Sequence, residues 1–371
     1  MRISFFVPRC TPDNSHGRYV IELATRLAGA HAVTVYAGAF WPSLEPSVRR
    51  RRLPVPNRPA VARLAALWST SLAAARRQFD IIHVQGADAP VGNVVTAHCC
   101  NAAMCAAAPG MATLTRRLNY AIGVRAERYC LTKPSTRAVV AVSENVKQEI
   151  QQHYNVDSAK VVVISPGVDA HLFHPHNAAA ERRPARDRLG IGHREFVVAF
   201  VGGDYRLKGL VPLLASVRGM GTPVRVLAIG VAGDGWLHSR VAADGLEGQV
   251  KFVGHTPDVA PLYAAADCFA LPTRYDTFSL ATLEAMASGL PVIVSRAAGV
   301  SEHLTDGVDA LLLDNPDDVE TLTRHLRRLA EDAELRAELG GAARSTAERY
   351  SWERVVEQTL AVYRRVLDPH E

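Results

Sequence analysis

Asp276 and Glu284 stand on either side of a small-residue turn in the run LPTRYDTFSLATLEAMASGLPVIVS, Leu271 to Ser295. CFALP reads as a strand, TRYDTF as a loop, and SLATLEAMAS as a helix of good formers that Gly289 stops. A helix N-terminus fed by such a loop presents unpaired N–H groups and a partial positive charge of roughly +0.5, so it takes up phosphate without a metal. Glu284 sits too deep to cap that helix. On its buried side, about one and a half turns in, it is placed to accept from the two hydroxyls of a ribose. The plainer alternatives are an Asx-turn for Asp276 and a helix-surface position for Glu284.

Loops that follow strands carry chemistry in doubly wound sheets, so the strands come next. Short β-branched runs at 3–7, 32–37, 80–84, 94–97, 138–142 and 160–164 alternate with amphipathic segments, as buried parallel strands do. The stretch 165–192 loses periodicity and gains Pro, Gly and charge, as a connection would. The strand pattern then restarts at 196–203, 224–230, 250–254, 268–272, 291–294 and 310–313. A chain of 371 residues exceeds one core, and the expected fold is α/β with two Rossmann-like domains of parallel sheet. The expected boundaries are 1–165 and 166–351, with a closing helix at 352–371 packing back on the first domain.

Charge is divided unequally. Up to Ser165 the chain carries 20 Lys and Arg against 9 Asp and Glu, and the remainder carries 22 against 28. Clusters at Arg49–Arg52, Arg76–Arg77 and Arg116–Arg117 are either solvated faces or a surface for an anionic membrane or acceptor. Nucleic acid is not expected, because no binding motif accompanies the charge and aromatics are 6%. Six cysteines without a CxxC pair suit reduced thiols better than disulfides or zinc, including the His98–Cys99–Cys100 run. With no run near the roughly 20 apolar residues of a membrane span and no leader-like start, a cytoplasmic protein is expected, peripheral on the inner membrane face if the basic half binds lipid.

The block D-T-F-S-L-A-T-L-E-A-M-A-S-G-L-P-V resembles the signature of family 4 retaining glycosyltransferases with the GT-B fold, written E-G-F-G-L-x-x-L-E-A-M-A-x-G-x-P-V. SPGVDAHLFHP, AVSENVKQEI, GHTPDVAPLYAAADCFALP and SWERVVEQ resemble further stretches, so the likeness runs through nearly the whole chain. It implies two domains facing across a cleft. It also implies that Glu284 holds the nucleotide ribose, that Asp276 lies by the donor sugar, and that the amides of Thr277, Phe278, Ser279 and Leu280 line the sugar and diphosphate.

In GGDYRLKGL, Lys208 matches one of the family's two diphosphate cations. Gly203 holds the place of the other, and Arg206 is the replacement, as in lipopolysaccharide-core glucosyltransferases. His98 matches a histidine that touches the donor sugar, and Asn14, Ser15, His16 and Gly17 replace a Gly-Gly loop on the acceptor side. The ordinary alternatives are a core histidine for His98 and surface cations for Lys208 and Arg206.

The resemblance implies a nucleotide-sugar donor, with UDP-sugar as the default, and a glycan or lipid-linked hydroxyl acceptor. Retention of configuration and no metal or other cofactor are implied as well. Nucleotide-sugar 2-epimerases share this architecture, and a non-catalytic sugar-nucleotide sensor is the other alternative, since Asp replaces Glu.

Overall fold

The computed structural model describes residues 1–54, 65–69, 71–72, 79–107, 114–221 and 223–368, with the side chains of 114–117 outside that description. The chain divides into two compact units: Met1–Pro166 with Trp352–Glu371, and Gly167–Ser351.

In the first unit the elements run β1 (Arg2–Phe6), β2 (Arg9–Cys10), α1 (Ser15–Leu27), β3 (Ala32–Ala37), β4 (Ala39–Phe40), β5 (Arg49–Arg52), β6 (Ile81–Gln85) and β7 (Val94–Ala97). They continue with α2 (Asn101–Ala107), α3 (Leu114–Thr132), β8 (Ala138–Ala141), α4 (Glu144–Tyr154) and β9 (Val161–Val163). Seven strands form one sheet in the order β5-β3-β1-β6-β7-β8-β9, each pairing parallel. The helix Trp352–Leu367 joins this unit, with Trp352 and Tyr363 fully buried in the core that includes Phe5, Tyr19 and Leu23.

The second unit contains α5 (Pro175–Leu189), β10 (Phe196–Val201), α6 (Leu210–Met220), β11 (Val224–Ile229), α7 (Gly235–Ala243), β12 (Val250–Gly254), α8 (Ala260–Ala265) and β13 (Cys268–Leu271). After these come α9 (Leu280–Ala287), β14 (Val292–Ser295), β15 (Leu311–Leu313), α10 (Val319–Glu331) and α11 (Ala333–Ala347). Its six parallel strands lie in the order β12-β11-β10-β13-β14-β15. That order reverses direction between β10 and β13, which makes their carboxyl ends the place where a doubly wound sheet opens a crevice. The residues of β13 and β14 are buried without alternation, because helices cover both faces of a parallel sheet.

Two segments depart from the sequence reading. The stretch 165–192 contains a fifteen-residue helix, α5, despite Pro184 inside it. Its anchor is polar, which hydrophobic periodicity does not detect: Arg186 is 1% exposed and donates to the carbonyls of Ala265, Gly192, His193 and Glu195 and to Asp267 Oδ2. The second departure is Arg49–Arg52, which forms the edge strand β5 against β3 with all four residues exposed. Backbone pairing builds that strand whatever its side chains are, and a charged edge discourages a further strand from adding. Arg76–Arg77 and the side chains of Arg116–Arg117 lie outside the described residues. Among the described residues no helix is long and apolar enough to cross a membrane.

Candidate active site

The switch point of the second sheet brings two of the sequence-derived residues into contact. Lys208 follows β10, Asp276 follows β13, and Lys208 Nζ lies 2.7 Å from Asp276 Oδ2. Both are mostly buried, their side chains 22% and 14% exposed. The ammonium also donates to the Tyr275 carbonyl at 3.3 Å. An ammonium has three N–H donors, so this pairing leaves capacity for an anion.

Gly209 makes the approach possible. Its φ is +82°, and a Cβ there would stand 1.8 Å from the Pro272 carbonyl oxygen, so only glycine lets the loop after β10 press against the end of β13. Thr273, fully buried, reinforces the contact through its hydroxyl, whose one proton lies between the Tyr275 carbonyl at 2.9 Å and the Leu207 carbonyl at 3.2 Å.

The turn beyond Asp276 is held by the loop after β14. Gly299 N donates to the Asp276 carbonyl at 2.9 Å and Val300 N to the Phe278 carbonyl at 2.7 Å. Phe278 is buried, its ring facing His303 and Tyr350, so this side chain anchors the turn. Asp276 Oδ1 also accepts from Phe278 N at 3.4 Å, a weak Asx-type contact beside the ion pair.

Ser279 caps α9 in the left-handed region, φ +78° and ψ +74°. A serine there is strained by roughly 1–2 kcal/mol relative to the right-handed region. Its hydroxyl, 2.7 Å from that of Thr282, secures the first turn. Of the first amides of α9, that of Thr282 donates to Ser279 Oγ at 3.4 Å, while those of Leu280 and Ala281 come too early for an acceptor within the helix. Thr277 stands half-buried between them and Asp276.

Glu284 is 4% exposed on the inner side of α9, with the Tyr263 hydroxyl 3.2 Å from Oε2. That settles it as a buried acid rather than a helix-surface one. Tyr263, from α8, also contacts the Ala281 carbonyl at 3.0 Å and so fixes the carboxylate against the helix backbone.

Arg206 is exposed and turns toward α7, its guanidinium carbon 4.8 Å from the centre of the Trp236 ring. Gly203 is exposed in open space, and nothing around it requires glycine.

The Asn14–Gly17 stretch, which opens α1, and His98, just after β7, belong to the first unit. Asn14 is the N-cap of α1, its Oδ1 accepting from Gly17 N at 2.7 Å. A Cβ on Gly17 would lie 2.4 Å from the Arg9 carbonyl oxygen, so close packing of α1 on the preceding loop demands glycine. Ser15 is exposed in the first turn. His16 stacks on His98 with ring centres 4.2 Å apart, and its Nδ1 lies 3.6 Å from Asp88 Oδ2.

His98 Nε2 pairs with the Gln85 side-chain amide, 2.7 Å from Oε1. Burial, then the neighbouring His16 and His83, hold the His98 imidazolium well below its usual range, which keeps the ring neutral.

Sequence reading missed Gln85 and the acid behind this loop, Glu127. From α3, Glu127 accepts from the Tyr154 hydroxyl at 2.6 Å and from Asn101 N at 2.7 Å, two residues beyond Cys99. It is 2% exposed, and burial pushes its carboxyl up to about 7 against 4.5 ordinarily, outweighing those hydrogen bonds. Between these values the folded chain keeps a proton that the unfolded chain releases. The stabilisation is therefore complete below about pH 4.5 and lost as pH rises through about 7. Relative to Glu127→Gln, the parent is expected to lose on the order of 3 kcal/mol between those limits, measured by denaturant unfolding at several pH values. Parallel pH curves for the two proteins would rule the raised carboxyl out.

Residues 16–172 match the family described as Glycosyltransferase Family 4, and residues 181–346 match Glycosyl transferases group 1. The chain belongs to the family 4 glycosyltransferases. D-inositol 3-phosphate glycosyltransferase of Corynebacterium kroppenstedtii is 34% identical over 227 residues, 58% of this family 4 chain and 50% of that protein. The chain thus spans about half the length of the curated relatives it matches. WaaG, a glycosyltransferase involved in lipopolysaccharide biosynthesis, superposes with a TM-score of 0.84 over 97% of this chain and 99% of its own, at 19% identity. The Anabaena protein HepE, solved with UDP-glucose, superposes with a TM-score of 0.77 over 97% and 99% at 22% identity. These likenesses establish the GT-B fold for this family 4 member.

Proposed function

We propose that the chain transfers a sugar from a nucleoside-diphosphate sugar, UDP-sugar by preference, to a hydroxyl of a glycan, glycolipid or polysaccharide acceptor, with retention and without a metal. The observation that carries this reading is the Lys208–Asp276 pair beside the amides of α9. A departing diphosphate needs positive charge fixed in advance, and an ammonium with a helix N-terminus provides it. Glu284 would accept from the ribose and Asp276 from the donor sugar. The UDP-glucose bound to the related fold of HepE supports that donor class. On the first unit, neutral His98 with His16, Asn14, Ser15 and Gly17 would serve the sugar and acceptor side.

Retention follows from the family resemblance, with the departing phosphate oxygen taking the acceptor's proton. The four exposed arginines of β5 would draw the chain to anionic lipid or an anionic acceptor.

The test is a panel of nucleotide sugars with added hydroxyl acceptors in EDTA, scored for glycosylated product and for its anomeric configuration. Acceptor-dependent product from a UDP-sugar, with the donor's configuration kept, is expected. Running the panel on anionic and neutral vesicles checks the lipid arm, where activity should rise on the anionic ones alone. Inverted product, product only after magnesium is added, or an isomerised sugar nucleotide without transfer would refute the respective parts.

A further inference from the structure

The loop that carries Lys208 also carries Tyr205 and Arg206, and the neighbouring strand β11 leads into α7, which is capped by Asp234 and opens with Gly235 and Trp236. Tyr205 and Trp236 stack at 6.2 Å with ring planes 16° apart. The Arg206 guanidinium carbon sits 4.8 Å from the Trp236 ring centre and 5.5 Å from that of Tyr205. Its Nε donates to the Tyr205 hydroxyl at 3.2 Å, and that hydroxyl donates to Asp234 Oδ2 at 2.8 Å. Asp234 is itself fixed, since its Oδ1 accepts from Leu237 N at 2.7 Å as the cap of α7. The backbone of Arg206 is tied as well, its carbonyl accepting from Arg274 Nη1 at 2.7 Å.

An exposed arginine has many rotamers to lose when it grips an anion. Here a chain of contacts running from a helix cap through a tyrosine hydroxyl, with an indole face alongside, has already narrowed them. Trp236 is 46% exposed, so the indole contributes little to the core.

We propose that Trp236 is a positioning residue, which with Tyr205 holds Arg206 at the carboxyl edge of the sheet as the second cation for the donor diphosphate. This rests on the donor site assigned to the second unit. The indole acts through the guanidinium: its π face favours the cation near the ring while leaving the outer N–H groups to phosphate oxygens.

The test is a double-mutant cycle on the full chain, with UDP and uridine as calorimetric probes. Trp236→Ala is expected to weaken UDP binding about fivefold, as loss of one exposed cation–π contact does. Uridine binding and the melting temperature should stay unchanged, and Trp236→Phe should restore most of the affinity. In an Arg206→Ala background, Trp236→Ala should have no further effect.

Equal losses with and without Arg206, or a matching loss for uridine, would overturn the positioning role and point to direct stacking on the base. If Arg206→Ala alone leaves UDP affinity unchanged, Arg206 is not a diphosphate cation and this inference fails. UDP binding that survives there still upholds the rest of the donor site, so the two failures are separable.

Discussion

Lys208→Ala is expected to cut turnover about a hundredfold or more, the usual result of removing one group that stabilises developing charge. The lysine stands 2.7 Å from Asp276 at the point where the sheet reverses, with the N-terminus of α9 reached through the same turn. In the mechanism we propose, removing it takes away a full charge where the diphosphate charge would develop as the sugar leaves. With side chains only 22% and 14% exposed, removing the lysine leaves Asp276 a mostly buried carboxylate without its cation, so some stability, roughly 1–3 kcal/mol, should go as well. The predicted signature is therefore a collapse in kcat measured below the lowered melting temperature, where the variant is still folded. Lys208→Arg should recover part of the rate, because it keeps the charge and changes its reach. A loss of less than threefold for Lys208→Ala in a folded protein would remove the lysine from the mechanism.

The strands of both units were legible because a parallel strand covered on both faces is written as an unbroken β-branched run, as in VIVS or VVTA. The strand β5 was not, since RRRR has no hydrophobic pattern and is held by the backbone ladder to β3. α5 was hidden for a related reason: Arg182 and Arg186 tie it down through Asp267, more than seventy residues away in sequence, where no local period records it.

The site divides in the same way. Asp276, Glu284 and Lys208 could be picked out by motif, but the meeting of Lys208 with Asp276 depends on Gly209 against Pro272, a contact of folded backbone alone. Glu127 and Gln85 touch the His98 loop from distant parts of the chain, and each is unremarkable in its own sequence window. Trp236 could have been suspected only from the strand order, which sets β11 beside β10.

Asp276 is the second position where a large effect is expected. Aspartate is shorter than the family's glutamate by one methylene, roughly 1.5 Å of reach. That shortening brings its carboxylate against Lys208 and the Phe278 amide, at 2.7 and 3.4 Å. Asp276→Asn keeps the shape but removes the charge that sets the lysine, and most of the activity should go with it, about tenfold or more in kcat/KM. Asp276→Glu should fold normally, push the carboxylate outward past the lysine and change the ranking of donor sugars. A displacement of that size exceeds the difference between a hydrogen bond at 2.7–3.2 Å and none at 3.6 Å. The measurement is kcat/KM for several nucleotide sugars on the parent and both variants, with melting curves as the control. If Asp276→Asn proves folded and fully active on the best donor, the residue is only a turn former.

The claim on which the rest depends is that the second unit holds a nucleotide at the N-terminus of α9, with Glu284 on the ribose. Titration calorimetry of UDP into the parent and Glu284→Gln, in EDTA, tests it most directly. An amide presents N–H donors to hydroxyls that also donate, a buried mismatch of about 1–3 kcal/mol, so the variant should bind about five- to a hundredfold more weakly. Equal affinity of the two proteins for UDP would contradict the account.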